Sequence, residues 1–394
     1  MQGVSGEQSA IAPCNCKMNR QNTKYIQIQS DCRNSIPFLW CRISDLHFLT
    51  IRRDVMKKTM ILFLSLLLCL PLFAQSVSKV GTTAATFLNI DVGARAVSMG
   101  GAFTTLANDA SAVYWNPAGL ARLDRAEAMF NHTEWLADIR FNFAAIVIPL
   151  QQMGTFGASA TFLTMDDMEV TTTEYPDGNG EFFSAGSYAF ALSYANKLTD
   201  RFSIGGSVKY VRENIYHCSA SGIALDVGTL FETQFNGLMI GMSISNYGTK
   251  MKMSGIDLLV PADYDPSIAG NNDALNADFQ TDGFDMPLMF RVGLGMDVLK
   301  GAGDSNLYLA VDALHPNDDV EYLNIGAEYL FHNMVALRGG YRSLFGSEDS
   351  EEGLTLGGGV KYRVMGFTEI RLDYAYQDFG VLNNVQRLSV GLAF

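Results

Sequence analysis

From Ala126 to Phe394 the chain falls into fourteen segments in which apolar side chains alternate with polar or small ones: 126–135, 139–150, 154–165, 186–198, 202–214, 221–232, 238–248, 287–299, 305–316, 321–331, 334–343, 353–364, 367–378 and 383–394. Period-two alternation puts successive side chains on opposite faces of a strand, so each segment asks for a sheet that is apolar on one side only. The segment length is that of a tilted strand crossing a bilayer, about 9–11 residues. The last one, NNVQRLSVGLAF, sets Leu388, Val390, Leu392 and Phe394 on one face against Arg387, Ser389, Gly391 and Ala393 on the other.

The connections sort by parity. Even-numbered ones are tight, such as 151–153, 199–201 and 332–333, whereas the third (166–185), the seventh (249–286) and the eleventh (344–352) are long. Long loops at one end and short turns at the other is the asymmetry of an outer-membrane barrel, and an even strand count returns both ends of the sheet to the same side. No apolar run after Phe73 approaches the length of a membrane helix, so insertion must be by strands. The fold class expected is all-β, a transmembrane antiparallel β-barrel of about 14 strands over residues 126–394.

The faces carry opposite chemistry. In segment 287–299, Leu288, Phe290, Val292, Leu294, Met296 and Val298 oppose Arg291 and Asp297. In 353–364, Leu354, Leu356, Val360 and Tyr362 oppose Lys361 and Arg363, and in 367–378 Ile370, Leu372, Tyr374 and Tyr376 oppose Glu369, Arg371 and Asp373. With Arg338, these charges are assigned to a lumen filled by ion pairs, and the apolar face to outer-membrane lipid.

Upstream, Met56-Lys57-Lys58 followed by the apolar run Thr59–Phe73 and the small Ala74 reads as a secretory signal peptide, 56–74. Residues 1–55 then read as a mis-assigned leader, and the mature chain is expected to begin near Gln75. Removing residues 1–74, with nine Lys/Arg and four Asp/Glu, from a chain of 28 basic and 41 acidic residues leaves a net charge of −18. Nucleic-acid binding, which depends on neutralising phosphates with Lys and Arg, is excluded by that balance. Of six cysteines only Cys218 lies beyond the signal peptide, so no intramolecular disulfide is available to the mature chain.

Between signal and barrel, residues 75–125 do not alternate. Small residues dominate from Gly93 to Ala102, Asn108-Asp109-Ala110-Ser111 suits the start of a helical turn, and Asn116-Pro117-Ala118-Gly119 forces a tight one. The composition suits a compact plug inside a lumen, with Arg95 and Asp109 meeting lumen charges such as Arg338, Lys361, Glu369 or Asp373.

The run GARAVSMGGAF…ANDASAVYWNPAGLARL resembles the amino-terminal hatch of FadL-type outer-membrane channels, and is most similar to their PorV/PorQ-like relatives. The resemblance implies a fourteen-stranded barrel in the Gram-negative outer membrane with its amino terminus folded into the lumen. Asn116, Pro117 and Ala118 then stand in the family's Asn-Pro-Ala element, and Phe394 serves as the terminal aromatic of the assembly signal. In the PorV/PorQ branch it implies a partner or shuttle of type IX protein secretion, touching the translocon or secreted cargo. In the FadL branch it implies a passive channel for long-chain fatty acids or other hydrophobic small molecules.

Catalytic signatures are missing. The five histidines have no ligand spacing, no Gly-x-Ser-x-Gly elbow occurs, and Gly357-Gly358-Gly359 sits within a strand, where glycines favour close packing over phosphate binding. A non-enzyme without cofactor or metal is expected. The seventh connection carries seven aspartates between Asp257 and Asp285 beside Ile256, Leu258, Leu259 and Val260, an acidic loop with a small apolar cluster that suits a mouth cover, a ligand or a partner.

Overall fold

Each alternating segment forms a strand whose ends fall within three residues of the expected ones. In a computed structural model that describes residues 81–150, 153–263, 265, 267–268, 274–300, 304–346, 352–364 and 368–394, the barrel strands are β1 (Glu127–Glu134), β2 (Arg140–Pro149), β3 (Thr155–Thr164), β4 (Ala185–Thr199), β5 (Phe202–Ile215), β6 (Cys218–Glu232), β7 (Met239–Gly248), β8 (Met289–Asp297), β9 (Asn306–Pro316), β10 (Tyr322–Phe331), β11 (Val335–Leu344), β12 (Leu354–Val364), β13 (Thr368–Asp378) and β14 (Asn384–Ala393). The leader and the signal peptide lie outside the described residues.

Every neighbouring pair is antiparallel, and β14 returns to β1 with Phe130 opposite Val390 and Asn131 opposite Ser389, which closes the barrel. Closure matters because an open sheet edge would leave backbone donors and acceptors unpaired in lipid. Among the described residues no helix is long and apolar enough to cross a membrane. The long connections carry short hairpins of their own: Met168–Glu169 with Phe182–Phe183 in the third, and Met251–Lys252 with Gly283–Phe284 and Leu259–Ala262 with Leu275–Asp278 in the seventh.

The alternation resolves into an outer and an inner face. Leu354, Leu356, Val360 and Tyr362 of β12 point outward while Thr355 is buried, and Leu388 and Leu392 of β14 point outward while Arg387 and Ser389 are buried. Three ladders slip by a residue, β4–β5, β6–β7 and β10–β11. The break between Leu225 and Val227 in the β6–β7 pairing is held by Asp226, whose Oδ1 accepts from the Asn246 backbone at 2.8 Å while Oδ2 pairs with Lys209 Nζ at 2.8 Å.

Ser389 points into the lumen, as the alternation assigns it, where it is buried, accepts from the Ala94 backbone N–H at 2.7 Å and donates to Asn131 at 2.8 Å. It therefore has no freedom to take a larger polar group. Val390, flanked by Phe130 and Leu372, faces lipid. Val390→Arg is expected to lower barrel stability by about 2–4 kcal/mol if the site lies near the bilayer midplane. Urea titration followed by heat-modifiable gel mobility reads this directly, and unchanged mobility would refute the outward assignment.

Candidate functional site: the hatch and its lumen wall

Residues 83–123 run as short turns because Gly93, Gly100 and Gly101 take positive φ and Pro117 follows an extended Asn116, each of which breaks a helix: 3₁₀ turns form at Thr86–Asn89 and Pro117–Arg122, and single α-turns at Ala94–Val97 and Ala112–Trp115. Nearly all of them are buried, and they pack on inward-facing residues of the barrel. Val92, Met99, Phe103, Trp115 and Leu120 join Phe141, Phe143, Val147 and Val211 of the wall in one apolar cluster.

Asn116 organises the second half. It caps the Pro117–Arg122 turn by accepting from the Ala118 N–H at 3.1 Å, with Pro117 at the first helical position, where a missing N–H costs nothing. Its amide then donates to the carbonyls of Thr104 at 2.9 Å and Thr229 at 3.1 Å, tying the turn to the hatch and to β6. The wall gives way at that point. A Cβ on Gly228 would collide with Asn116 Oδ1, and one on Gly205 would stand 2.5 Å from the Pro117 carbonyl.

The first half is latched by charge. Arg95 grips Glu328 of β10 in a two-pronged pair, Nε and Nη2 at 2.9 and 2.8 Å, and reaches Asp109 with Nη1 at 3.0 Å. Glu328 also receives Arg338 Nε at 2.5 Å, and Arg338 Nη1 continues to Asp373 at 2.7 Å. On the far side Arg371 stands 3.8 Å from Asp109 and bonds Glu127, whose Oε1 also accepts the Ala110 N–H at 2.9 Å. Burial alone would push the Asp109 carboxyl up, but Arg371 and Arg95 outweigh it and hold Asp109 below the usual carboxylate range. Asp109 also bonds the Ser111 N–H at 3.0 Å, fixing the turn before Ala112–Trp115.

These contacts rearrange the partners that sequence proposed. Arg95 and Asp109 do meet lumen charges, but the partner of Arg95 is Glu328, which the strand pattern did not single out although it faces Arg338 directly across the β10–β11 ladder. Lys361 and Glu369 pair with each other at 2.9 Å instead, and Arg363, exposed at the short-turn mouth, stands 3.7 Å from Glu369. Arg291 lies over the rings of Tyr114 and Trp115 at 5.7 and 5.5 Å and bonds Ser245 at 3.1 Å, a cation–π seat beneath the hatch. Sequence also missed Asp312, whose Oδ2 accepts the Phe103 and Thr104 N–H groups at 2.9 and 2.8 Å, and Asp91, paired with Arg342. Phe394 has an exposed side chain, and its N–H donates to the Ala126 carbonyl at 2.9 Å.

The arrangement is mechanical and electrostatic. Among the described residues no group of three His, Cys, Asp or Glu could hold a metal ion. Two cavities flank the hatch. One, of about 330 Å³, lies at the short-turn end among Arg95, Arg371, Lys361 and Glu369, and the other, of about 780 Å³, at the long-loop end beside Phe87, Trp135 and Asp318.

A closed fourteen-stranded sheet, lipid-facing outside and charged within, defines an outer-membrane β-barrel. The solved CymD monoaromatic hydrocarbon channel shares that fold, with a TM-score of 0.50 and 12% identity over 77% of this chain and 97% of that one. The Pseudomonas putida toluene transporter TodX superposes with a TM-score of 0.47 and 13% identity over 77% and 97%. Within this class, the sequence profile described as "Type IX secretion system protein PorV" matches residues 73–264, so over that stretch the chain is PorV-like. A curated relative, the UPF0164 protein of Treponema pallidum (strain Nichols), is 26% identical over 176 residues, 41% of this chain. The chain spans 43% of that relative's length.

Proposed function

We propose that this barrel is a non-enzymatic partner or shuttle component of type IX protein secretion. The observation that carries the reading is the profile match, which covers the hatch, β1 to β7 and the start of the seventh connection in one stretch. The latch supports it. A hatch held by paired buried charges at one end and by Asn116 at the other suits a rigid scaffold that presents its long acidic loops to a partner outside the cell. In this reading the lumen stays sealed while the loops of the third and seventh connections make the contacts.

A second reading, passive passage of hydrophobic compounds, draws support from the cavity of about 780 Å³ walled partly by Phe87, Trp135, Leu163 and Met289. Affinity purification of the tagged barrel from mildly solubilised outer membranes separates the two. Recovery of a large outer-membrane translocon subunit or of secreted cargo is expected under the first. Recovery of the barrel alone with tightly held lipid or hydrocarbon would overturn it in favour of the second.

A further inference from the structure

The cavity at the long-loop end is built from two unlike materials. Phe87 of the hatch with Trp135, Leu163 and Met289 of the wall makes an apolar side, and Trp135 is held edge-to-face by Phe379 at 5.3 Å. The same cavity is lined by four carboxylates, Asp91, Asp318, Asp319 and Glu352, against a single guanidinium, Arg342. Arg342 pairs with both Asp91 and Glu352, so that trio retains one negative charge.

Asp318 is the informative member. Only 9% exposed, it takes its bonds from two neutral donors, Thr83 Oγ1 at 2.8 Å and Asn89 Nδ2 at 3.4 Å, and meets no Lys or Arg among the described residues. A buried carboxylate without a counter-charge is costly, and here it borders an open volume instead of protein. Asp319 beside it is exposed and likewise lacks a cation among the described residues. Arg387, over the Trp135 ring at 5.3 Å, does not line the cavity, and counting it still leaves the surroundings negative.

We infer that this cavity is a binding site for cationic amphiphiles, small molecules with an aromatic or aliphatic body and an ammonium head. The body lies on Phe87, Trp135 and Leu163, and the head sits beside Asp318 and Asp319. A carboxylate-headed molecule of the same shape would add a further negative charge to a site already in surplus and is disfavoured there. The site does not depend on a role in secretion. It also narrows the channel reading, since it selects by charge where an apolar groove alone would not.

Three nearly isosteric, water-soluble probes test this: benzylammonium, benzyl alcohol and benzoate. Each is titrated by ligand-observed NMR against the full chain in phosphatidylcholine nanodiscs, with empty nanodiscs subtracted. Benzylammonium is expected to bind about tenfold more tightly than benzyl alcohol, with benzoate weakest, and the spread should shrink as salt rises. Asp318→Asn with Asp319→Asn should bring the three together, whereas Trp135→Ala should weaken all three alike. Heat-modifiable mobility verifies that each variant is folded, and Asp319→Asn alone, at an exposed position, gives a smaller shift in the same direction. Equal or tighter binding of benzoate, an order unchanged in the Asn variants, or no binding above empty nanodiscs overturns the proposal.

Discussion

Replacing Glu328 with alanine is expected to cost the folded barrel about 3–5 kcal/mol, the range for removing one partner of a buried ion pair. Its carboxylate receives Arg95 from the hatch and Arg338 from the neighbouring strand, so truncation strips two guanidiniums at once. Neither can turn to water, since the Arg95 and Arg338 side chains are 13% and 4% exposed. Asp109 and Asp373 remain as partial substitutes and set the lower end of the range. Urea unfolding in detergent measures the loss. Glu328→Gln, which keeps the acceptor but not the charge, should fall between wild type and alanine. An alanine variant as stable as wild type would show that the Arg95–Glu328 contact does not hold the hatch. Acid should weaken the same latch: Asp109 has a folded pKa below its unfolded one, so its contribution is complete above the ordinary carboxylate range and fades as pH falls through the depressed value.

The barrel was legible in the sequence because lipid enforces the pattern. An outward position in a membrane strand must be apolar at every second residue, which is why the ends of β1 to β14 fall so close to the alternating segments. The lumen was legible only as composition. Arg291, Arg338, Arg371 and Asp373 stand where alternation puts them, on the inner face, but which charge meets which depends on the angle at which residues 83–123 cross the lumen. No strand period encodes that angle. Lys361 and Glu369, expected among the partners of Arg95 and Asp109, instead pair with each other near the mouth, and the partner of Arg95 is Glu328. The one available signal was register: Glu328 sits opposite Arg338, a cross-strand charge pair readable once β10 and β11 are aligned through a three-residue turn, His332 to Met334. Asn116-Pro117 was legible because its chemistry is local, an Asn cap followed by a proline at the first helical position. Lys209 and Asp226 are diagonal neighbours across the regular β5–β6 ladder, where Ser207 stands opposite Asp226 and Lys209 opposite Ala224, and the six-residue gap expected between those two segments hid that register.

Deleting Gly93–Leu120 is expected to turn a barrel of low conductance into a leaky pore while leaving it insertable. That stretch supplies Met99, Phe103, Trp115 and Leu120 to the cluster with the inner wall, and its removal leaves that wall bare. A fourteen-stranded sheet lies between eight-stranded barrels, whose side chains fill the interior, and porins of about 16–18 strands, which leave an aqueous channel. The hatch enters that interior where the wall is glycine-lined, as at Gly205 and Gly228, which have no side chains to fill the space themselves. The strands keep their ladder without the hatch, since every barrel strand is paired on both sides by its neighbours. Planar-bilayer recordings then separate plug from scaffold. A subtler variant guards against loss of folding: Gly228→Leu places a side chain where Asn116 and Pro117 now pack, so the turn must leave the wall while the rest of the chain is intact. That variant should show intermittent openings between the silent wild type and the open deletion. Silent membranes with both variants, each verified as folded by heat-modifiable mobility, would mean that residues 93–120 do not seal the lumen, and the scaffold reading would lose its mechanical basis.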